Sequence, residues 1–174
     1  MSLIEVLVAL AILAGGLVGA VALQTTAKKS SFDAQQRSLA SSLAQDIIER
    51  IRVNDSSSIE DYEGTYGAGA LTAPTNRCNN IAAPCGPTAL ATNDVFEWEQ
   101  KLLGANNTVG GSNVGGLVNP RGCISHTNNR VTVLISWEGR MAISDGASET
   151  ITDADKCGTA STTRRQIAME VFVF

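Results

Sequence analysis

The chain opens MSLIEVLVALAILAGGLVGAVAL, residues 1–23, in which Glu5 is the single charged residue and 6–23 carry no charge. Eighteen uncharged residues in a helix rise about 27 Å against roughly 30 Å of bilayer hydrocarbon, so the run is just long enough to cross a membrane. A secretory signal would carry basic residues ahead of a shorter apolar run and a small-residue cleavage site behind it. Here the flank carries an acid, and the segment is expected to stay on the protein. Gly15, Gly16 and Gly19 fall inside the run. Gly15 with Gly19 makes a small-xxx-small pair that admits another helix closely, while each glycine also loosens a helix by roughly 1 kcal/mol against alanine. Two readings stand side by side, a packing face or a segment able to unwind locally.

Beyond residue 23 the chain turns polar without losing helical period. Phe32, Leu39, Leu43, Ile47 and Ile51 recur at intervals of seven or four and define one apolar face. Lys28, Lys29, Asp33, Gln36, Arg37, Ser41, Gln45, Glu49 and Arg52 are assigned to water or to a neighbour. Asn54, Asp55 and the serines after them offer competing side-chain hydrogen bonds, so the helix is predicted to end near Val53. A helix from Leu3 to Val53 would be roughly 75 Å long. It divides into an apolar, membrane-crossing half, 1–24, and an amphipathic half that belongs to a single domain, 25–174.

Of the 174 residues about 120 remain after this spine, enough for one small domain. A net charge of −4 and the absence of any basic cluster beyond pairs such as Arg164-Arg165 argue against a nucleic-acid partner. Asn93 and Asp94 are read as caps of a short helix through 103, and 104–116 as a loop containing a hairpin turn. Val131, Val133, Ile135 and Trp137 alternate with Thr132, Leu134, Ser136 and Glu138, a strand with one apolar face that Gly139 ends. Ile167, Met169, Val171 and Val173 repeat the pattern opposite Ala168, Glu170, Phe172 and Phe174. The two strands are predicted to pair antiparallel and pack on the spine, an α+β architecture of a long helix on a small antiparallel sheet.

Cys78, Cys85, Cys123 and Cys157 stand in the domain beyond the span, and their spacing disfavours a zinc or redox motif. Of three possible pairings, Cys78 with Cys85 would close the loop around Pro84, and Cys123 with Cys157 would tie the edges of the sheet. Catalytic chemistry finds no footing in the sequence. The single histidine, His126, sits in a Ser/Thr/Asn stretch read as surface loop. Glu149, Asp153 and Asp155 are oxygen ligands that could hold calcium, with a solvated acidic loop the weightier reading, and Asp55, Glu60, Asp61 and Glu63 are read likewise. No metal, cofactor or enzymatic role is assigned.

Three mostly apolar residues, then Glu5, then a long apolar helix: this start resembles the mature N-terminus of type IV pilins and their pseudopilin relatives. The strand VTVLISWEG at 131–139, a following Cys157, Arg164-Arg165 and a last apolar strand resemble, within that superfamily, the minor pilin subfamily PilV. The resemblance implies a basic leader cut ahead of Met1 by prepilin peptidase and methylation of the new Met1 amine; Met1 stands where most pilins have Phe, and a start residue is the other reading. Lys28 and Lys29, beyond the span, oppose the usual cytoplasmic bias of positive charge, and a removed leader would restore it. A carboxylate in a first helical turn gains a few tenths to about 1 kcal/mol from the helix dipole, whereas an acid at mid-membrane costs about 2.5–3.5 kcal/mol unless partnered. The partner implied for Glu5 is the N-terminal amine of the neighbouring subunit, which would set register. Ala22 stands where major pilins often carry Pro, so no proline kink is expected.

The resemblance further implies a structural minor pilin, held in the bacterial inner membrane by one span with a periplasmic domain and then moved into the extracellular pilus. Its implied partners are other minor pilins, the major pilin, prepilin peptidase, the assembly platform and a tip adhesin, with a place in a tip complex that primes assembly. A type II secretion pseudopilin would share the spine and the acid. An adhesin-like tip module would use the loops around Cys78 and Gly110.

Overall fold

The computed structural model describes residues 2–80, 82–147 and 149–173. One helix, α1, runs unbroken from Leu3 to Val53. It is followed by a 3₁₀ helix (Ser56–Tyr62), β1 (Gly64–Tyr66), α2 (Pro87–Leu103), a small hairpin of β2 (Thr108–Val109) and β3 (Ser112–Asn113), then β4 (Arg121–Thr127), β5 (Arg130–Glu138) and β6 (Arg164–Phe172). The main sheet is antiparallel in the order β1-β4-β5-β6. The architecture is thus α+β, a long N-terminal helix on an antiparallel sheet.

The upper half of α1 buries Gln36, Ala40, Leu43, Ala44, Ile47, Ile48 and Ile51, a stripe with the spacing of one helical face. Opposite it, Val131, Val133, Ile135 and Trp137 are all at most 3% exposed, as the period-two pattern predicts. Phe32 and Leu39, assigned to the same stripe, are only half-buried; the guanidinium of Arg140 lies 4.3 Å from the Phe32 ring centre. Gln36, expected to face solvent or a neighbour, is instead 6% exposed. Its Oε1 accepts from the Val118 amide at 3.0 Å, while the Val118 carbonyl accepts from the Glu138 amide of β5, so the buried side chain satisfies the loop donor that the strand leaves open. Asp33, from the same set, accepts the Arg140 amide at 2.8 Å.

Helix α2 begins six residues earlier than its sequence pattern suggests, at Pro87 with Gly86 as N-cap. Proline fixes the helical φ and lacks the amide that a first turn leaves unpaired, which makes it the better start signal. Asn93 and Asp94 are not caps. Both are buried inside the helix, where partners offset the cost: Tyr62 Oη donates to Asp94 Oδ2 at 2.9 Å and Arg50 Nη1 to Asp94 Oδ1 at 2.6 Å. Arg50 also reaches Glu97 at 3.1 Å, and Arg77 donates to Asn93 at 3.0 Å. This network joins α1, α2 and the 3₁₀ helix through charge-assisted bonds, the stronger kind.

Trp98 is fully buried between α1 and the sheet and donates its Nε1 hydrogen to the Leu43 carbonyl at 2.8 Å. Gly122 on β4 leaves room for it, because a Cβ there would lie 2.3 Å from Trp98 Cη2. No sequence pattern announces strand β4, and His126, read as loop, is a half-exposed residue of this strand. The far face of β5 departs from expectation too. Leu134 and Ser136 are buried at 4% and 2%, since the segment around Ala154 and Cys157 packs on them. Arg164, 5% exposed, fastens that segment by holding the Asp145 carboxylate at 2.6 and 2.9 Å and donating to the carbonyls of Asp155 and Gly158.

Two consequences can be measured on the full chain in detergent micelles. Gly122→Ala overpacks the Trp98 site and is expected to lower unfolding stability by about 1–3 kcal/mol, read from the urea midpoint; an unchanged midpoint would contradict the close approach. Burial opposes the charge of Glu97, but hydrogen bonds from Asn93 and Arg50 and the charges of Arg50 and Arg77 outweigh it and hold the carboxyl below its ordinary 4.5. Asp145 is held low as well, first by the hydrogen bond from Arg164. A depressed carboxyl contributes stability that is complete above its unfolded pKa and lost as pH falls through the folded one. The urea midpoint should therefore drop as pH goes from about 5 to about 3, and Glu97→Gln should make that drop shallower.

Candidate assembly surface

Among the described residues, the N-terminal half of α1 packs against no other element. Its large apolar residues from Leu3 to Leu23 are 47–84% exposed, and the most apolar eighteen-residue window of the helix is 0% buried. By length and composition this helix can cross a membrane. Leaving a dozen such side chains in water costs on the order of 10–20 kcal/mol, as much as the whole stability of a typical domain, about 5–15 kcal/mol. Lipid or protein must therefore cover it.

At the tip, the Ser2 amide donates to Glu5 Oε2 at 3.3 Å, so the acid turns back on the first helical turn, where an unpaired amide and the helix dipole favour it. Met1, the expected processing site, lies outside the described residues. Gly15, Gly16 and Gly19 would each meet nothing within 4 Å if given a Cβ. Packing within this chain therefore does not require glycine at any of them, and any close approach must come from outside. Where the span ends, the hydroxyls of Thr25 and Thr26 bond back to the carbonyls of Val21 and Ala22 at 3.0 and 3.2 Å. Polar side chains thus satisfy themselves on the helix, which continues through the junction.

Above the span, disulfides fasten the loops. Cys78 is bonded to Cys85 and Cys123 to Cys157, with Cα separations of 5.5 and 6.0 Å, within the usual range. The first holds the loop that carries Arg77, whose guanidinium lies 4.5 Å from the Phe96 ring centre on α2. The second differs from the expectation of an edge-to-edge tie: Cys123 lies on inner strand β4, and the bond pins the covering segment 151–158 to the sheet's outer face.

The acidic residues are mostly engaged. Asp153 pairs with Lys156 at 2.5 Å, Asp55 accepts from the Ser57 amide at 2.9 Å, and Glu63 accepts from the His126 amide at 2.6 Å. Among the described residues no three His, Cys, Asp or Glu side chains gather as metal ligands.

A protein-family model described as Tt1218-like, type IV pilin Tt1218, matches residues 22–96. That span takes in the docked half of α1, the 3₁₀ helix, the Cys78–Cys85 loop and the first part of α2. No curated protein and no solved structure matches the chain. The match covers less than half of the chain and, with the helix-on-sheet fold, supports the type IV pilin superfamily, a class of structural fibre subunits. It does not reach a subfamily.

Proposed function

We propose that this chain is a minor pilin that takes part in type IV pilus biogenesis within a tip complex that primes assembly, and that its nearest subfamily is PilV. The observation that carries the reading is the continuity of α1: one helix is docked on a folded domain over 36–51 and bare and apolar over 3–23. Such a subunit is stored with residues 1–24 in the inner membrane and 25–174 in the periplasm, and on extraction it passes its apolar half from lipid into a bundle of other pilin helices. Water is avoided throughout, because exposure would cost more than the fold can supply. The strand at 131–139, Cys157 and the Arg164-Arg165 pair support the PilV assignment by resemblance.

Glu5 sets register in this mechanism. Its carboxylate exchanges the Ser2 amide for the methylated N-terminal amine of the adjoining subunit as the helix leaves the membrane, so the acid is partnered in either place. Gly15 and Gly19 form the face on which that neighbour packs. The partners are the major pilin, other minor pilins, prepilin peptidase, the assembly platform and a tip adhesin.

Glu5→Ala should leave the folded domain intact and reduce the amount of this chain in sheared fibres about tenfold or more, measured by quantitative immunoblot against the major subunit. Native incorporation of the variant would remove Glu5 from the mechanism. Deleting the chain separates the readings: loss of fibres supports priming, normal fibres with lost attachment support an adhesin, and blocked export of a folded exoprotein with intact fibres supports a secretion pseudopilin.

A further inference from the structure

The two outer sides of the main sheet are finished differently. On the β1 side, past the end of that short strand, the outward amide of His126 on β4 is capped by the Glu63 carboxylate at 2.6 Å. At the start of β6, the Arg164 carbonyl accepts from the Gly146 amide at 3.0 Å, and the Ile143 amide donates to the Thr162 carbonyl at 2.9 Å, so a loop runs along the strand there. Further on the register is decisive. The Gly139 amide donates to the Thr163 carbonyl and the Val173 amide to the Asn129 carbonyl, so the odd-numbered residues of β6 bond inward to β5. Ala168, Glu170 and Phe172 therefore aim their amides and carbonyls away from the sheet, and among the described residues no other element bonds to them.

This open run lacks the usual protections. It contains no proline, glycine or lysine, and the nine β5–β6 pairs continue without a bulge. Its single charge, Glu170, is drawn along the sheet toward Arg130, 3.8 Å away. Phe172 is 60% exposed, and Ala168, Met169 and Val171 are half-buried. Soluble proteins blunt such edges by charge, proline, bulge, cover or shortness; the other edge strand, β1, is only three residues long and turns one residue, Thr65, outward, whereas 168–172 turns three.

We propose that residues 168–172 form a strand-pairing site, filled in the assembled fibre by an extended segment of an adjoining pilin subunit. Outward amides and carbonyls on alternate residues of a strand without a bulge match one kind of partner, another extended backbone, with Phe172 supplying side-chain contact on the face where Ala168 already packs on the covering segment. The inference rests on the fibre reading above, in which the bare half of α1 requires neighbours alongside.

Hydrogen exchange resolved at single amides tests it, on the full chain in detergent micelles and in assembled fibres. In micelles the amides of Ala168, Glu170 and Phe172 should exchange about tenfold or more faster than those of Ile167, Met169 and Val171, and in fibres they should slow to match them. A chain present in fibres whose three outward amides exchange as in micelles overturns this inference alone; absence of the chain from fibres overturns it together with the fibre reading. Glu170→Pro gives a second test, since it removes an outward donor and leaves the β5 ladder its donors. Incorporation should fall severalfold for Glu170→Pro and stay native for Glu170→Ala, while native incorporation of the proline variant contradicts the site.

Discussion

The constraint on which everything else depends is that half of α1 can never meet water. Most of a helix's stability in a protein comes from packing one face, and the upper half of α1 is ordered by burying Ala40, Leu43, Ala44, Ile47, Ile48 and Ile51 against α2 and the sheet. The lower half has no such support in the chain. One continuous hydrogen-bonded rod therefore couples a folded domain to a segment that needs a lipid or protein environment. Subunit structure and subunit assembly become one problem, because whatever covers the lower half also positions the domain above it.

The domain is suited to bearing that coupling. Arg50, on the last turns of α1, binds Asp94 and Glu97 on α2, and Lys101 reaches back to Asp46 at 2.9 Å. Trp98 adds a donor to the Leu43 carbonyl. Partly exposed pairs of this kind add little net stability one by one, but together they tie α1 to α2 at fixed positions. On the opposite side of the sheet, Arg164 and the Cys123–Cys157 bond fix a segment with little regular structure of its own. Loops rich in Gly, Asn and Thr are thus held by a few polar and covalent ties while the apolar core stays small.

Much of this is legible in the sequence where period alone decides. The limits of α1, the inward face of β5 and the antiparallel partner β6 accord with spacing and composition. Other parts are hidden because their signal lies in partners. Gln36, Asn93 and Asp94 read as solvent-facing or capping by residue type, and only the positions of Val118, Tyr62, Arg50 and Arg77 explain their burial. Strand β4 is illegible because one of its inward positions is Gly122, a glycine that makes space for Trp98 and so erases the apolar alternation. The early start of α2 is announced by Gly86-Pro87, a signal masked by the small polar residues after it. For the assembly surface, Glu5 and the apolar run are plain in the sequence, whereas the bare edge at 168–172 depends on register and on which neighbours fail to reach it.

The central claim, that the bare helix half is handed from membrane to fibre, is tested most directly by mass spectrometry of fibres sheared from producing cells. This chain should be present in trace amount against the main subunit, with an N-terminal peptide that begins at N-methylated Met1. Finding it in the inner membrane alone, and absent from the sheared fibres, would contradict the account.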